Sequence, residues 1–154
     1  MFFEQVTLLD KAVEKGMLPA LETFDTPYDT TKLASGVIRI TFPEFTCVCP
    51  KTGYPDFATI HLYYLPNKRC IELKSWKLFL NSFRMICTFH ETVTSFLFTT
   101  LNQTLQPRWL MVVGDFFPRG NVNTSVVFET DTPRPRGWDV LTTTVTPHCK
   151  GLGD

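Results

Sequence analysis

The apolar positions along the chain change period several times, and each change predicts an element. Phe3, Val6, Leu9, Val13 and Met17 recur at three- to four-residue steps, which predicts a short amphipathic helix within residues 1–20, ended by Gly16 and Pro19. Residues 22–35 are polar and turn-rich and read as an irregular crossing. Val37–Phe45 and Phe57–Leu65 alternate as half-buried strands do, and Arg69–Leu73 follows the Pro66-Asn67 turn as a short third strand. The period then lengthens. Ser75 can cap a helix through Trp76–Arg84. Phe89–Leu105 reads as a second helix with Val93, Phe96, Leu97, Leu101 and Leu105 on one stripe and Pro107 just past its end. Trp109–Phe117 and Asn123–Glu129 read as a hairpin around Pro118–Asn121, and from Thr130 the chain is rich in Pro, Gly and Thr, as in a tail.

This order predicts an extension over residues 1–35, one domain over 36–129 and a tail over 130–154. Strands segregated from helices indicate an α+β fold with a largely antiparallel sheet. Two helices can cover one face of such a sheet, leaving the other solvated or used in assembly.

Composition narrows the function classes. The 154 residues suit one domain, and 44% apolar content is ample for a core. Fourteen phenylalanines exceed what one small core needs, which points to aromatic subunit contacts. A formal net charge of zero supplies no basic field for nucleic acid or anionic lipid. There is no 18-residue apolar run, and the start lacks the features of a signal peptide, so a cytoplasmic protein without a membrane partner is expected. Cys47, Cys49, Cys70, Cys87 and Cys149 are odd in number and lack CxxC spacing, which argues against a disulfide framework or metal site and fits reduced thiols.

The candidate chemistry centres on Thr46–Asp56, where Pro50, Pro55 and Gly53 shape a loop carrying the Cys49 thiol and the Asp56 carboxyl. A thiol near an acid suits covalent catalysis. On the loop alone, a packed Cys49 and a turn-forming Asp56 remain an equal alternative. Lys74 and Lys77, three apart at a helix start, can bind phosphate or form a solvated edge. Glu91, beside Phe89 and His90, can complement a helix dipole. Cys47 is expected on the opposite side of the chain from Cys49. Cys70 and Cys87 read as packing residues, Cys149 as a tail thiol, and His61 as structural.

Together these segments resemble one family closely, the nitrile reductases that act on 7-cyano-7-deazaguanine (preQ0), also called the QueF family. The resemblance rests on Phe45-Thr46, Cys49-Pro50-Lys51-Thr52-Gly53, Pro55-Asp56-Phe57, Glu72–Phe79, Ser82-Phe83-Arg84, Phe89-His90-Glu91 and Phe117-Pro118-Arg119-Gly120, and covers about residues 36–129. It implies a T-fold, or tunnelling fold, whose subunits join into a barrel as a homo-oligomer of stacked rings with sites between subunits. It implies NADPH as cofactor and preQ0 as small-molecule substrate, in queuosine biosynthesis. Cys49 would add to the nitrile as a thioimide, Asp56 would donate a proton, and His90 would orient the substrate or relay protons. Two hydrides from NADPH would then give the primary amine. Glu91 would read the base, with Glu72 as a second base contact and Phe89 as a wall. Lys74, Lys77 and Arg119 would hold cofactor phosphates. A serine is expected where Cys47 stands. The competing readings are an amidinotransferase-like relative, against which Lys74 and Lys77 speak, a non-enzymatic T-fold protein, and a zinc-dependent cyclohydrolase short of ligands.

Overall fold

A computed structural model of the chain describes residues 7–31 and 36–138. Phe3 and Val6 of the first predicted helix, and His148 and Cys149 of the tail, lie outside the described residues. In chain order the elements are β1 (Thr7–Leu8), α1 (Leu9–Glu14), β2 (Thr23–Asp25), β3 (Ile38–Val48), β4 (Pro55–Leu65), β5 (Arg69–Ile71), α2 (Leu73–Asn81), a 3-10 turn (Ser82–Met85), β6 (Ile86–Cys87), α3 (His90–Leu105), β7 (Trp109–Arg119) and β8 (Val122–Glu129). The main sheet runs β1-β6-β3-β4-β7-β8, and β2 with β5 forms a separate antiparallel ribbon. The four long strands are antiparallel, while the short β6 lies parallel to β3 and to β1. The predicted α+β class and helix-covered sheet are observed.

Alternation along β4 explains the layers. Ala58, Ile60, Leu62 and Tyr64 point one way and are buried with Leu110, Val112 and Phe116 of β7 against Trp76, Phe79 and Leu80 of α2 and Val93, Leu97, Leu101 and Leu105 of α3. Phe45, Phe79, Phe83, Phe96 and Phe116 join there through ring contacts of 5.4–6.5 Å. Each such buried ring contributes about 1.5–3 kcal/mol of transfer free energy. The phenylalanine excess is thus partly a core cluster, while Phe24, Phe57, Phe89 and Phe117 stand exposed.

Two β-bulges interrupt the ladders. The β3–β4 register shifts between Phe42 and Phe45, and the β7–β8 register shifts between Phe116 and Arg119. Each skipped pair contains a proline, Pro43 or Pro118, which has no N–H for the ladder. One extra residue moves everything after it to the other face. Ile38, Ile40 and Phe42 therefore share the helix face with Phe45 and Cys47 despite the change in parity. Beyond the second bulge, Arg119 joins the face of Phe116 by the same rule. Gly120 and Asn121 close this hairpin with φ of 60° and 66°, the positive pair a two-residue type I′ turn requires.

Several boundaries differ from the sequence reading. The helix begins at Leu73 and its cap is Glu72, whose carboxylate accepts from the N–H groups of Lys74 and Ser75 at 2.8 and 2.7 Å. Ser75 instead binds the preceding segment, its Oγ accepting the Glu22 N–H at 2.9 Å. The first helix is six residues long, so it buries Leu9 and Ala12 but leaves Val13 and Met17 exposed. Within 22–35, Thr23–Asp25 is a strand. The described residues after Thr130, 131–138, also fold back. Arg134 grips Glu129 at 2.8 and 2.9 Å, and Trp138 packs edge-on against Trp109 and Tyr63 on the second face of the sheet.

Helix α3 approaches β7 most closely at Gly114. A Cβ there would lie 2.6 Å from Thr94 Oγ1 and 3.0 Å from the Phe116 ring. Gly114→Ala is expected to destabilise the protein by about 1–3 kcal/mol, the range for overpacking. Urea unfolding should show that adding Thr94→Ala recovers part of the loss, because the two side chains collide.

Candidate active site

The site grows from the start of β4. Asp56 lies on the helix face in line with Ala58 and Ile60, and it is 6% exposed. A carboxylate on an apolar face needs partners. Arg119 Nη1 lies 2.7 Å from Oδ1 and His90 Nε2 lies 3.1 Å from Oδ2. His90 opens α3, and its ring stacks on Phe116 at 3.7 Å and 9°. Thr94 Oγ1 donates to the His90 carbonyl at 2.7 Å, which secures the first turn of the helix.

The Cys49 thiol arrives from just past the end of β3. Cys49 N–H donates to the Tyr54 carbonyl, and Gly53 N–H donates to the Cys49 carbonyl, both at 2.9 Å. Gly53, at φ 71°, lets this short loop close. The loop spans the gap between β3 and β4, so Asp56 belongs to the strand and not to the loop. Arg119 Nη2 donates to Cys49 Sγ at 3.1 Å. Burial alone pushes the Cys49 thiol up. Donors from the Thr52 and Arg119 side chains and from the backbone of Thr52 and Lys51 outweigh it and bring the thiol down to about 7. Near neutrality a large fraction of Cys49 is thiolate.

Cys47 behaves oppositely. It stands within β3, two residues before Cys49, which lies past the end of the strand. It is fully buried across from Asp56, and burial, followed by the neighbouring carboxylate, pushes its thiol up to about 12. Burial and the charge of Cys49 also raise the Cys87 thiol. Cys87 lines a largely apolar cleft of about 840 Å³, walled also by Pro50, Thr88, Phe89, Phe96 and Leu9. That volume is within the usual range for a small-molecule pocket.

The structure gathers Cys49, Asp56 and His90 of the predicted set. It also draws in Arg119, which the sequence reading placed with the lysines. Phe89 and Glu91 flank His90 and are exposed. Lys74 and Lys77 are exposed on the first turns of α2. Glu72 spends both carboxylate oxygens on the helix cap, so the structure gives it a capping role where a base contact was expected. Sequence reasoning missed Thr52 as a sulfur donor and Phe116 as the shelf under His90. Pro118, read as part of the turn after the predicted strand Trp109–Phe117, was the available signal for the bulge that turns Arg119 inward. Among the described residues no group of three or more His, Cys, Asp or Glu could hold a metal ion, and no helix is long and apolar enough to cross a membrane.

An α+β sheet backed by helices on one face, with Cys49, Asp56, His90 and Arg119 brought together beside it, is a T-fold. The family model described as QueF-like protein matches residues 55–135. Over 118 residues the chain is 47% identical to the NADPH-dependent 7-cyano-7-deazaguanine reductase of Alkalilimnicola ehrlichii, covering 77% of this chain and 87% of that protein. It is 56% identical over 95 residues to the protein of the same name from Aquifex aeolicus, covering 62% of this chain and 74% of that one. A solved archaeosine synthase QueF-Like in the apo form shares the fold, with a TM-score of 0.60 at 19% identity, over 66% of this chain and all of the other. The chain belongs to the QueF family.

Alkylation by iodoacetamide should modify Cys49 with a pH midpoint of about 7 and leave Cys47 intact in the folded protein. Peptide mass mapping across pH reads both. The folded thiol titrates below its unfolded value. Its thiolate therefore contributes stability in full above the unfolded value of about 8.5, and that contribution fades as pH falls through the folded one.

Proposed function

We propose that this chain reduces the nitrile of 7-cyano-7-deazaguanine to the primary amine, as part of queuosine biosynthesis, with NADPH supplying the hydrides. Relatives about 50% identical carry the name NADPH-dependent 7-cyano-7-deazaguanine reductase. The observation that carries the reading is the Cys49 sulfur held beside the Asp56–His90 pair. A nitrile carbon is electrophilic and a thiolate is its matched nucleophile.

In this reading the Cys49 sulfur forms a bond to the nitrile carbon while one C–N π bond opens toward nitrogen. Asp56, in its acid form, hands that nitrogen a proton, and His90, 3.1 Å from the carboxyl group, is placed to orient the substrate or to relay protons between solvent and Asp56. The product is a thioimide on Cys49. Phe89 walls the ring. Glu91 offers two acceptors to the two adjacent donors of a guanine-like edge.

The donor set on α2 suits a phosphate-bearing cofactor. Glu72 already occupies the N–H groups of Lys74 and Ser75, so an incoming phosphate meets the two exposed ammonium groups and not the helix amides. NADPH, when bound, supplies hydride, and Lys74 and Lys77 are the proposed residues for its phosphates, while Arg119, expected with them, is engaged by Cys49 and Asp56. We further propose a cytoplasmic homo-oligomer of stacked rings with sites between subunits. Support comes from the exposed position of Phe89 and Glu91 and from the apolar side chains Phe57, Phe117 and Val127 left on the surface of the single chain.

Intact-mass spectrometry with preQ0 and no NADPH tests the reaction. The protein should gain the full mass of the substrate. Cys49→Ala should lose both adduct and turnover, while Cys47→Ala should keep both. An adduct on the Cys49→Ala protein would overturn the assignment of the nucleophile.

Lys74→Ala and Lys77→Ala should each raise the KM for NADPH and leave adduct formation with preQ0 unchanged. The loss of one charged hydrogen bond corresponds to about 1.5–3 kcal/mol. Following NADPH absorbance in steady state alongside the mass assay separates the two effects.

A further inference from the structure

The guanidinium of Arg119 is the meeting point of the site, with one nitrogen 3.1 Å from Cys49 Sγ and another 2.7 Å from Asp56 Oδ1. We propose that Arg119 is a catalytic residue of the covalent step: it clamps the sulfur and the carboxyl group together and presents Cys49 as the nucleophile. The inference rests on the proposed nitrile chemistry for its purpose, though the clamp itself is a property of the free protein.

Three observations carry it. First, a planar guanidinium has several N–H donors in a fixed fork, so it can serve two acceptors at once, which a lysine ammonium does less well at these angles. Second, the bulge at Phe117-Pro118 is what turns Arg119 toward the helix face, and bulges commonly re-aim a side chain beside an active site. The residue lies one position before the tight Gly120-Asn121 turn, so its backbone is fixed at the rim. Third, Arg119 is among the groups that lower the Cys49 thiol, and the thiol in turn heads the causes that raise Arg119.

The clamp also organises the proton transfer that accompanies addition. As the sulfur–carbon bond forms, the negative charge leaves sulfur and passes to the nitrile nitrogen, which takes a proton from the carboxyl of Asp56. The bond from Arg119 to sulfur then weakens, and once the acid form of Asp56 has given up its proton the Arg119–Asp56 ion pair seen in the free protein is restored. The Arg119 side chain is 43% exposed, so the guanidinium can make this adjustment without repacking the core.

The test compares wild type, Arg119→Gln and Arg119→Lys by the pH dependence of iodoacetamide alkylation at Cys49, a readout that needs neither preQ0 nor NADPH. In the glutamine variant the midpoint should rise from about 7 part of the way toward the ordinary thiol value of about 8.5, because Thr52 and the loop amides remain. At about pH 6.5 alkylation and preQ0 adduct formation should both fall several-fold, following the thiolate fraction. Arg119→Lys should recover part of the shift. Thermal unfolding of each variant separates a local effect from a folding defect. An unchanged midpoint and unchanged adduct rate in Arg119→Gln, with NADPH affinity alone reduced, would overturn the clamp. If the midpoint rises but even wild type forms no adduct with preQ0, the clamp stands and the proposed substrate falls.

Discussion

One carboxyl group on an otherwise apolar face governs this structure. Asp56 follows the same alternation as Ala58, Ile60 and Leu62 and is buried with them, yet it requires polar partners. In its ionised form, removing one partner would leave a buried charge uncompensated at about 3–5 kcal/mol. Its two partners come from distant places in the chain, His90 from the first residue of α3 and Arg119 from the last residue of β7. Satisfying Asp56 therefore ties the hairpin, the helix start and the cysteine loop into one unit, and the site forms where they converge.

The backbone devices around that carboxyl group arise from the same demand. Two prolines that cannot join a ladder each create a bulge, and each bulge shifts one strand by a residue so that later side chains face the helices. Gly114 lets α3 approach β7 closely enough for His90 to lie flat on Phe116. That stacking orients the imidazole edge toward Asp56. Strand, bulge, glycine and ring act in series, which is why a substitution at Gly114 and one at Arg119 converge on the same few atoms.

Cys47 and Cys49 show how far environment outweighs residue type. Both are buried thiols at one end of one strand. The first lies deeper in the core, where burial and then the Asp56 carboxylate push its thiol up to about 12. The second leaves the strand into a loop whose amides, together with Thr52 and Arg119, hold it near 7. A difference of two positions separates a thiol pushed up by burial from one brought down to about 7.

Much of this was legible in the chain. The alternation of Phe57–Leu65 and the stripe Val93, Phe96, Leu97, Leu101 and Leu105 announced a sheet backed by helices, because hydrophobic periodicity is local and burial obeys it. The Cys49 loop, the Lys74-Lys77 pair and Phe89-His90-Glu91 marked the family. Several features required the tertiary structure: Arg119 in contact with Cys49, Glu72 as a cap in place of Ser75, Cys47 buried across from Asp56, and Trp138 folded back onto Trp109. Contacts such as Arg119 with Cys49, 70 residues apart, depend on strand register, and a single bulge residue reverses the facing of every later position in its strand. Residue type and period are written along the chain, whereas the partner of a buried charge is decided by which strands lie side by side.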